Sequence, residues 1–473
     1  MAEKIEIDLS KKFPENFDKS KKIHFIAVGG IGVSAIAKYF LEAGFQVSGS
    51  DIKENKNTEL LCNLGAEIFI GHQASNIKNA ALIVASSAIR IDNPEIIEAQ
   101  KQNIPVYHRS HSLEAIMRGI GQSKKPFSIG FSGTHGKTTT TGMASLVFEL
   151  SGKNPTSMIG GILPQFNTNA KFGNGEYVIS ELDESDGTIV LYAPDILVVT
   201  NLEVDHIDHY KDGFEQLLKT FDTTCKNLPK NAKLVLNADD TGCMKLYEIT
   251  DKSKVILYST KNSTQANFTS KNIKMNGLSS SFDVYKKDKF LGKIELSVPG
   301  EHNISNALSV IISALECGIS FENIEKSIKE FTGTKRRFEF VGEFNGAKIY
   351  DDYAHHPTEI EATLKSAKQL NKRIIAVFQP HRYTRLAGLW EDFKKSFTNA
   401  DILVVTDVYA AGDEFLPKYN SEIFAQQVLG ANYIKGNIDE IKSKITDFIK
   451  PEDVVITIGA GDITQLGYKL CQK

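Results

Sequence analysis

Residues 127–150, "FSIGFSGTHGKTTTTGMASLVFEL", pass from an apolar run through a glycine loop into a helical pattern, and that order constrains the fold more than any other feature. A strand, a tight turn and a helix packed back on the sheet form the building block of a parallel α/β protein. Gly133 and Gly136 let the backbone approach a ligand closely, and amides at a helix start favour an anion. In that setting Lys137 would neutralise the outer phosphates of a nucleotide, and Thr138 is well placed to bind magnesium. The strict nucleotide-binding spacing needs glycine at 131, where the chain has Phe131, so the loop is of a shorter kind. Helix propensity disfavours the run from Thr138 to Thr141, which argues against an idle glycine-capped turn.

The same order recurs near the amino terminus in "KIHFIAVGGIGVSAIAKYF". Ile23–Val28 reads as a strand and Gly29, Gly30 and Gly32 as the turn, while Val33, Ile36, Ala37, Phe40 and Leu41 recur at helical spacing. A second strand, "FQVSGSD", ends on Asp51. This is the layout of a dinucleotide-binding unit, in which Gly30, Ile31 and Gly32 would hold a diphosphate and Asp51 a ribose. A ligand-free turn with close helix–sheet packing is the alternative. The chemistry does not separate NAD from another nucleoside diphosphate, so an NAD(P)-dependent dehydrogenase stays open, although it leaves the phosphate loop without a task. A third set of strands follows residue 334, and four of its runs ("AKIYDDYAHHP", "IIAVFQPHRYTR", "DILVVTDVYAAGD", "DVVITIGAGD") end in polar clusters. The carboxyl edge of a parallel sheet is where ligands bind.

A chain of 473 residues suggests about three domains at roughly 150 residues each. The net charge of −3 offers no basic footprint for nucleic acid, and no apolar run approaches a membrane span. "MAEKIEIDLSKKF" lacks the apolar stretch of a signal peptide, and five scattered cysteines without a C-x-x-C pair fit a reducing cytoplasm. "EYVISELDESD" should deliver Glu181 at a strand end, and "DILVVTNLEVDH" should bring Asn201 and His206 to the edge that carries the phosphate loop. Asp183, Glu184 and Asp186 read equally as a solvated acidic turn or as part of the site. A GTPase is disfavoured, because no Asn-Lys-x-Asp sequence is present.

Nine stretches in one order, "GTHGKTTT", "SELDESD", "TNLEVDHIDHY", "LNADD", "PGEHNISNALSV", "GTKRRFEFVGE", "DDYAHHPTEI", "FQPHRYTR" and "GAGDI", resemble the ATP-dependent muramyl ligases of bacterial wall synthesis. The amino-terminal glycine turn is most like the branch that adds L-alanine to UDP-N-acetylmuramate; a sibling branch attaches a ready-made tripeptide to the same sugar nucleotide in wall recycling. The resemblance implies an α/β fold of three domains: a Rossmann-like UDP-sugar domain at 1–121, a central P-loop ATPase domain at 122–334 with a mostly parallel sheet, and a Rossmann-like amino-acid-binding domain at 335–473. Hinges are expected near 122–126 and 330–336. The implied ATP site comprises Gly133, Thr134, His135, Gly136, Lys137, Thr138, Thr139, Asn303, Asn306, Arg337 and Asp352. Thr138, Glu181 and His206 would hold magnesium, with manganese as a possible substitute, and Lys137, Glu181, His206, Arg337 and Asp352 would serve catalysis. Gly30, Ile31, Gly32, Asp51, Ser87 and Arg109 would line the UDP-sugar site. Tyr353, His356, Arg382 and Arg385 would take the amino acid, the arginines clamping its carboxylate. The implied setting is a cytoplasmic monomer or homodimer making peptidoglycan precursors, and so serving cell shape and division.

Overall fold

The computed structural model describes residues 5, 7–205 and 209–472, which are organised around three β-sheets. The first contains β1 (Lys22–Ile26), β2 (Gln46–Asp51), β3 (Glu67–Ile70), β4 (Ala80–Ala85) and β5 (Val106–His108), in spatial order β3-β2-β1-β4-β5. All its pairings are parallel. β1 stops two residues before the expected Val28, because Ala27 adopts a left-handed φ of 59°. The glycine turn follows, and the helix Ile31–Glu42 begins directly after Gly30.

The second sheet is larger. Seven of its ten strands are β6 (Phe127–Ser132), β7 (Thr156–Leu163), β8 (Thr168–Lys171), β9 (Tyr177–Glu181), β10 (Ile196–Val199), β11 (Lys233–Asn237) and β12 (Val255–Ser259), running in order β12-β11-β10-β6-β9-β7-β8. Only the edge strand β8 is antiparallel among these seven. The chain leaves β6 toward β7 on one side and later reaches β10 on the other. Strand order therefore reverses at β6, and a ligand crevice should open at its carboxyl end. The helix Lys137–Leu150 starts there. Its threonines are accommodated by back-bonding: Thr140 Oγ1 donates to the Gly136 carbonyl at 2.7 Å and Thr141 Oγ1 to that of Lys137 at 2.8 Å.

The chain divides into two compact units: Met1–Lys271, Val284–Gly292 and Ser305–Ile328 form the first, and Asn272–Asp283, Lys293–Ile304 and Lys329–Lys473 the second. The division runs through β13 (Phe268–Asn276), β14 (Ser279–Lys286) and β15 (Lys289–Leu296) and through the helix Glu301–Glu316. Within the first unit one apolar cluster joins Phe25, Phe40 and Val84 of the first sheet region to Val178, Leu197 and Leu236 of the second. Polar clasps add to it: Lys38 Nζ donates to the Ala170 carbonyl at 2.5 Å, and Asn169 Nδ2 to that of Ile31 at 2.6 Å.

The second unit holds β16 (Glu339–Phe344), β17 (Ala347–Asp352), β18 (Ile374–Phe378), β19 (Ile402–Thr406), β20 (Ala431–Ile434) and β21 (Val454–Ile458), ordered β16-β17-β21-β18-β19-β20. β16 is antiparallel and the rest are parallel. Alternate residues serve opposite faces: Ala376, Phe378 and Ile456 enter one apolar cluster, Ile375, Val377 and Val455 another. The α/β class with mostly parallel sheets is as the strand–glycine–helix order predicts. Among the described residues no helix is long and apolar enough to cross a membrane.

Candidate active site

At the carboxyl end of β6 the phosphate loop is shaped by its glycines. Gly133 has φ of 121°, and a Cβ there would stand 2.5 Å from Thr200 Oγ1. Gly136 has φ of 84°, and its Cβ would meet Asn306 Oδ1 at 2.8 Å. Asn201, just past β10, clamps the loop: its Oδ1 accepts from the His135 amide at 2.8 Å and its carbonyl from the Thr134 amide at 3.0 Å. Lys137 Nζ folds back onto the Gly133 carbonyl at 2.6 Å, the Thr134 carbonyl at 3.1 Å and Glu184 Oε1 at 3.0 Å. Thr138 is buried, whereas Thr139 is half-buried. Glu181 closes β9 and accepts from the Gly160 amide at 2.9 Å, while a Cβ on Gly161 would stand 2.9 Å from Thr138 Cγ2. One dipeptide of β7 thus backs both Thr138 and Glu181, two oxygen donors of the type a hard divalent cation takes.

The first sheet brings a second cation to the same acidic segment. Arg109 lies beside the glycine turn, with its Nη1 3.4 Å from where a Gly32 Cβ would be. Its Nη2 donates to Asp183 Oδ2 at 2.7 Å. Asp186 faces Ser87 Oγ at 3.5 Å and His108 Nε2 at 3.7 Å. In the glycine turn itself, Asp51 Oδ2 accepts from the Gly29 amide at 2.8 Å.

Burial and opposite charge compete over these groups. Burial favours a neutral Asp183, but the Arg109 and Lys137 cations outweigh it and hold its carboxyl well below the usual range. For Glu184 burial prevails, pushing the carboxyl up to about 7 although Lys137 pulls the other way. Burial opposes the charge on Lys137, yet Glu184, Asp183 and Glu181 together raise its pKa. His108 is driven down to about 4 by burial, against the pull of Asp186.

In the second unit a polar chain runs along the carboxyl edge of the third sheet. Asp352, the last residue of β17, accepts from the Phe338 amide at 2.8 Å and the Ala354 amide at 2.7 Å. Burial lifts its carboxyl to about 6, with Arg337 opposing. Arg337 lies 3.6 Å from Glu359 Oε1, and its guanidinium sits 5.3 Å from the Tyr353 ring centre. His355 donates its amide to Glu359 at 3.0 Å. Its ring is 6.1 Å from that of His381, which in turn stacks on Tyr409 at 5.6 Å and meets Arg385 Nη1 through Nδ1 at 3.3 Å. Arg382 is bound to Asp413 through Nε at 3.0 Å and Nη2 at 2.9 Å.

Family models cover this architecture nearly end to end: "Mur ligase family, catalytic domain" matches residues 22–120, "Mur ligase middle domain" 131–314 and "Mur ligase, glutamate ligase domain" 336–461. The chain belongs to the Mur ligase family. It is 40% identical over 462 residues, 97% of this chain and 99% of the relative, to UDP-N-acetylmuramate–L-alanine ligase of Geotalea daltonii. The crystal structure of UDP-N-acetylmuramate-alanine ligase from Thermotoga maritima superposes with a TM-score of 0.80 at 30% identity, covering 95% of this chain and 98% of that one. A murein peptide ligase from Psychrobacter arcticus shares the fold at a TM-score of 0.72 and 21% identity, over 95% and 98% of the two chains.

In this Mur ligase the structure gathers Thr134, His135, Lys137, Thr138, Glu181 and Asn306 around the phosphate loop, and Gly32, Ser87 and Arg109 around the acidic segment. His206 lies outside the described residues. Asn303 is buried in the helix Glu301–Glu316 and donates to the Pro299 carbonyl at 2.6 Å. His356 caps the helix Pro357–Lys368, its Nδ1 accepting from the Thr358 amide at 3.4 Å. One open alternative closes. The acidic turn is no solvated surface: the Glu184 side chain is 2% exposed and partners Lys137. Arg382 pairs with Asp413, and Arg385, the other expected carboxylate-clamping arginine, has His381 beside it. Sequence reasoning missed Glu359, His381 and Asp413, although "FQPHRYTR" displays His381. It also passed over Arg336, which ties β17 to the β21 loop through Asp351 at 3.3 Å and the Gly459 carbonyl at 2.7 Å.

Proposed function

We propose that the chain is an ATP-dependent ligase joining L-alanine to the lactyl carboxylate of UDP-N-acetylmuramate. One observation carries the reading. Arg109, beside the sugar-nucleotide turn, and Lys137, in the phosphate loop, bind adjacent residues of one segment, Asp183 and Glu184. Cations suited to two different phosphorylated ligands are therefore brought to one place, as a phosphoryl transfer between those ligands requires. The near full-length similarity to a relative named for this reaction supports the choice of acceptor and amine.

A carboxylate is a poor acyl donor and must be activated before an amine can attack it. The lactyl carboxylate attacks the γ-phosphorus of ATP in line; the bond to the β-phosphate oxygen breaks and ADP departs. Lys137 neutralises the charge that builds on the phosphates. Glu184, poised near neutrality, gives up its hold on the lysine readily when phosphate arrives. The uncharged amine of alanine then adds to the acyl phosphate, and the adduct expels inorganic phosphate to leave the amide. Magnesium, held by Thr138 and Glu181 and with His206 as a further ligand, would supply additional charge neutralisation. Arg382 and Arg385 hold the amino acid's carboxylate, Tyr353 and His356 line its pocket, and Arg337 and Asp352 serve ATP. Because water would destroy the acyl phosphate, the reaction requires that water be excluded; the chain is read as domains bounded at 1–121, 122–334 and 335–473. A cytoplasmic location is part of this reading, since the sugar nucleotide and ATP are both made there.

Titration with UDP-N-acetylmuramate, ATP and NADH tests the reading. Binding of the first two and not of NADH is expected. Tight NADH binding without UDP-N-acetylmuramate binding would instead favour a dehydrogenase.

A further inference from the structure

Arg336 has no task in the chemistry above, and its backbone is held where an arginine rarely sits. Its φ is 61°, a left-handed value that is costly for a residue with a side chain unless its surroundings fix it. Here they do: its amide donates to Glu339 Oε2 at 2.8 Å, and its carbonyl accepts from the Tyr353 amide at 2.7 Å. The turn aims the guanidinium at the carboxyl edge of the third sheet. Nε donates to Asp351 Oδ2 at 3.3 Å. Nη2 donates to the carbonyls of Gly459 at 2.7 Å and Gly461 at 3.2 Å, just past β21. Asp351 is fully buried and also accepts from Thr457 Oγ1 at 2.6 Å and Thr464 Oγ1 at 2.7 Å, so it is a fixed anchor. The flat face of the same guanidinium lies 4.7 Å from the centre of the Tyr353 ring.

The loop held by the edge of this cation supports the other side of the pocket. Gly461 packs so closely that a Cβ there would stand 2.7 Å from Tyr409 Cγ and 2.3 Å from Gln379 Oε1. Gln379 clasps the loop in turn, its Oε1 accepting from the Ile463 amide at 3.1 Å and its Nε2 donating to Asp462 Oδ1 at 2.7 Å. Tyr409 carries the contact onward: its ring lies nearly parallel to that of His381, at 10°, and His381 meets Arg385. One guanidinium thus touches Tyr353 with its face and, through the loop and Tyr409, backs His381 and Arg385. Alanine offers few atoms to hold, so its binding depends on how well these walls are placed beforehand. Lysine could keep a charge near Asp351. It has neither the flat face nor the rigid fork that reaches two carbonyls and a carboxylate at once.

We infer that Arg336 is a positioning residue for the amine substrate: it holds Tyr353 and the Gly459–Gly461 loop in register, and so sets the walls of the alanine pocket without touching alanine. This rests on the reading of this edge as the alanine site. Steady-state kinetics and thermal unfolding of the full-length protein test it in two variants. Arg336→Lys keeps the charge, and Arg336→Gly accepts the left-handed turn while leaving room for free guanidinium ion. In Arg336→Lys the KM for alanine should rise about tenfold, the worth of roughly one charge-assisted hydrogen bond. The KM for ATP and that for UDP-N-acetylmuramate should stay within about twofold of wild type. In Arg336→Gly the rise should be larger. Guanidinium chloride, well below denaturing concentration, should then restore about fivefold in kcat/KM for alanine, and ammonium chloride at the same ionic strength should not. A merely structural arginine predicts that the three KM values move together, that activity follows the melting temperature and that guanidinium restores nothing. Either that pattern, or an alanine KM unchanged in both variants, overturns the inference while alanine-stimulated phosphate release by the wild type keeps the ligase reading. If alanine does not stimulate the wild type, the ligase reading fails and the inference with it.

Discussion

Glu184→Gln isolates the competition between burial and the phosphate-loop lysine. The Glu184 side chain is 2% exposed and lies 3.0 Å from Lys137, yet its carboxyl sits at about 7 against an ordinary value of 4.5. A carboxyl whose folded pKa exceeds its unfolded one contributes stability that is fully present below the unfolded value. That contribution is lost as pH rises through the folded value. With these two values the linkage relation gives a loss of roughly 2–3 kcal/mol between pH 5 and pH 8, which the glutamine variant escapes. Urea unfolding of the wild-type and variant proteins at pH 5, 6, 7 and 8 is the assay. The stability difference should move in favour of the variant by that amount as pH rises. Parallel curves would mean that burial does not raise the Glu184 carboxyl. A difference moving the other way would mean that Lys137 outweighs burial and keeps Glu184 ionised.

Other perturbations separate the parts of the site. Lys137→Ala should abolish ATP-dependent amide formation while UDP-N-acetylmuramate binding, measured by calorimetry, stays near normal. Gly136→Ala forces a side chain into a left-handed turn with φ of 84° and against Asn306 Oδ1. It should cost about 1–3 kcal/mol in thermal unfolding and raise the KM for ATP. Arg385→Ala should raise the KM for alanine at nearly unchanged melting temperature. Arg382→Ala, which takes the guanidinium from the Asp413 side chain (7% exposed), should lower the melting temperature as well.

The strand–glycine–helix blocks were legible because their signals are local: "VGGIG" and "GTHGKT" each need glycine where the backbone must turn, and apolar runs on both sides supply the sheet and helix. β1 ended early because the left-handed Ala27 leaves no mark in a hydrophobic pattern. Glu181 could be placed, since it ends a strand beside the loop. Glu184 could not, since whether three acids within the four residues 183–186 face water or a lysine depends on packing from the first sheet. The commitment of Arg382 to Asp413, 31 positions away, is likewise a property of tertiary structure. So is the convergence of Arg336, Asp351 and Gly459 from three separate segments.

In the proposed reaction the phosphate bound at "GTHGKT" goes to a sugar-nucleotide carboxylate and is released only when alanine arrives. Phosphate release from ATP in the presence of UDP-N-acetylmuramate, with L-alanine or a wall tripeptide added in turn, measures this directly. L-alanine should stimulate release with one equivalent of the alanyl sugar nucleotide formed, seen by mass spectrometry. Stimulation by the tripeptide alone, or release that ignores every amine, would contradict it.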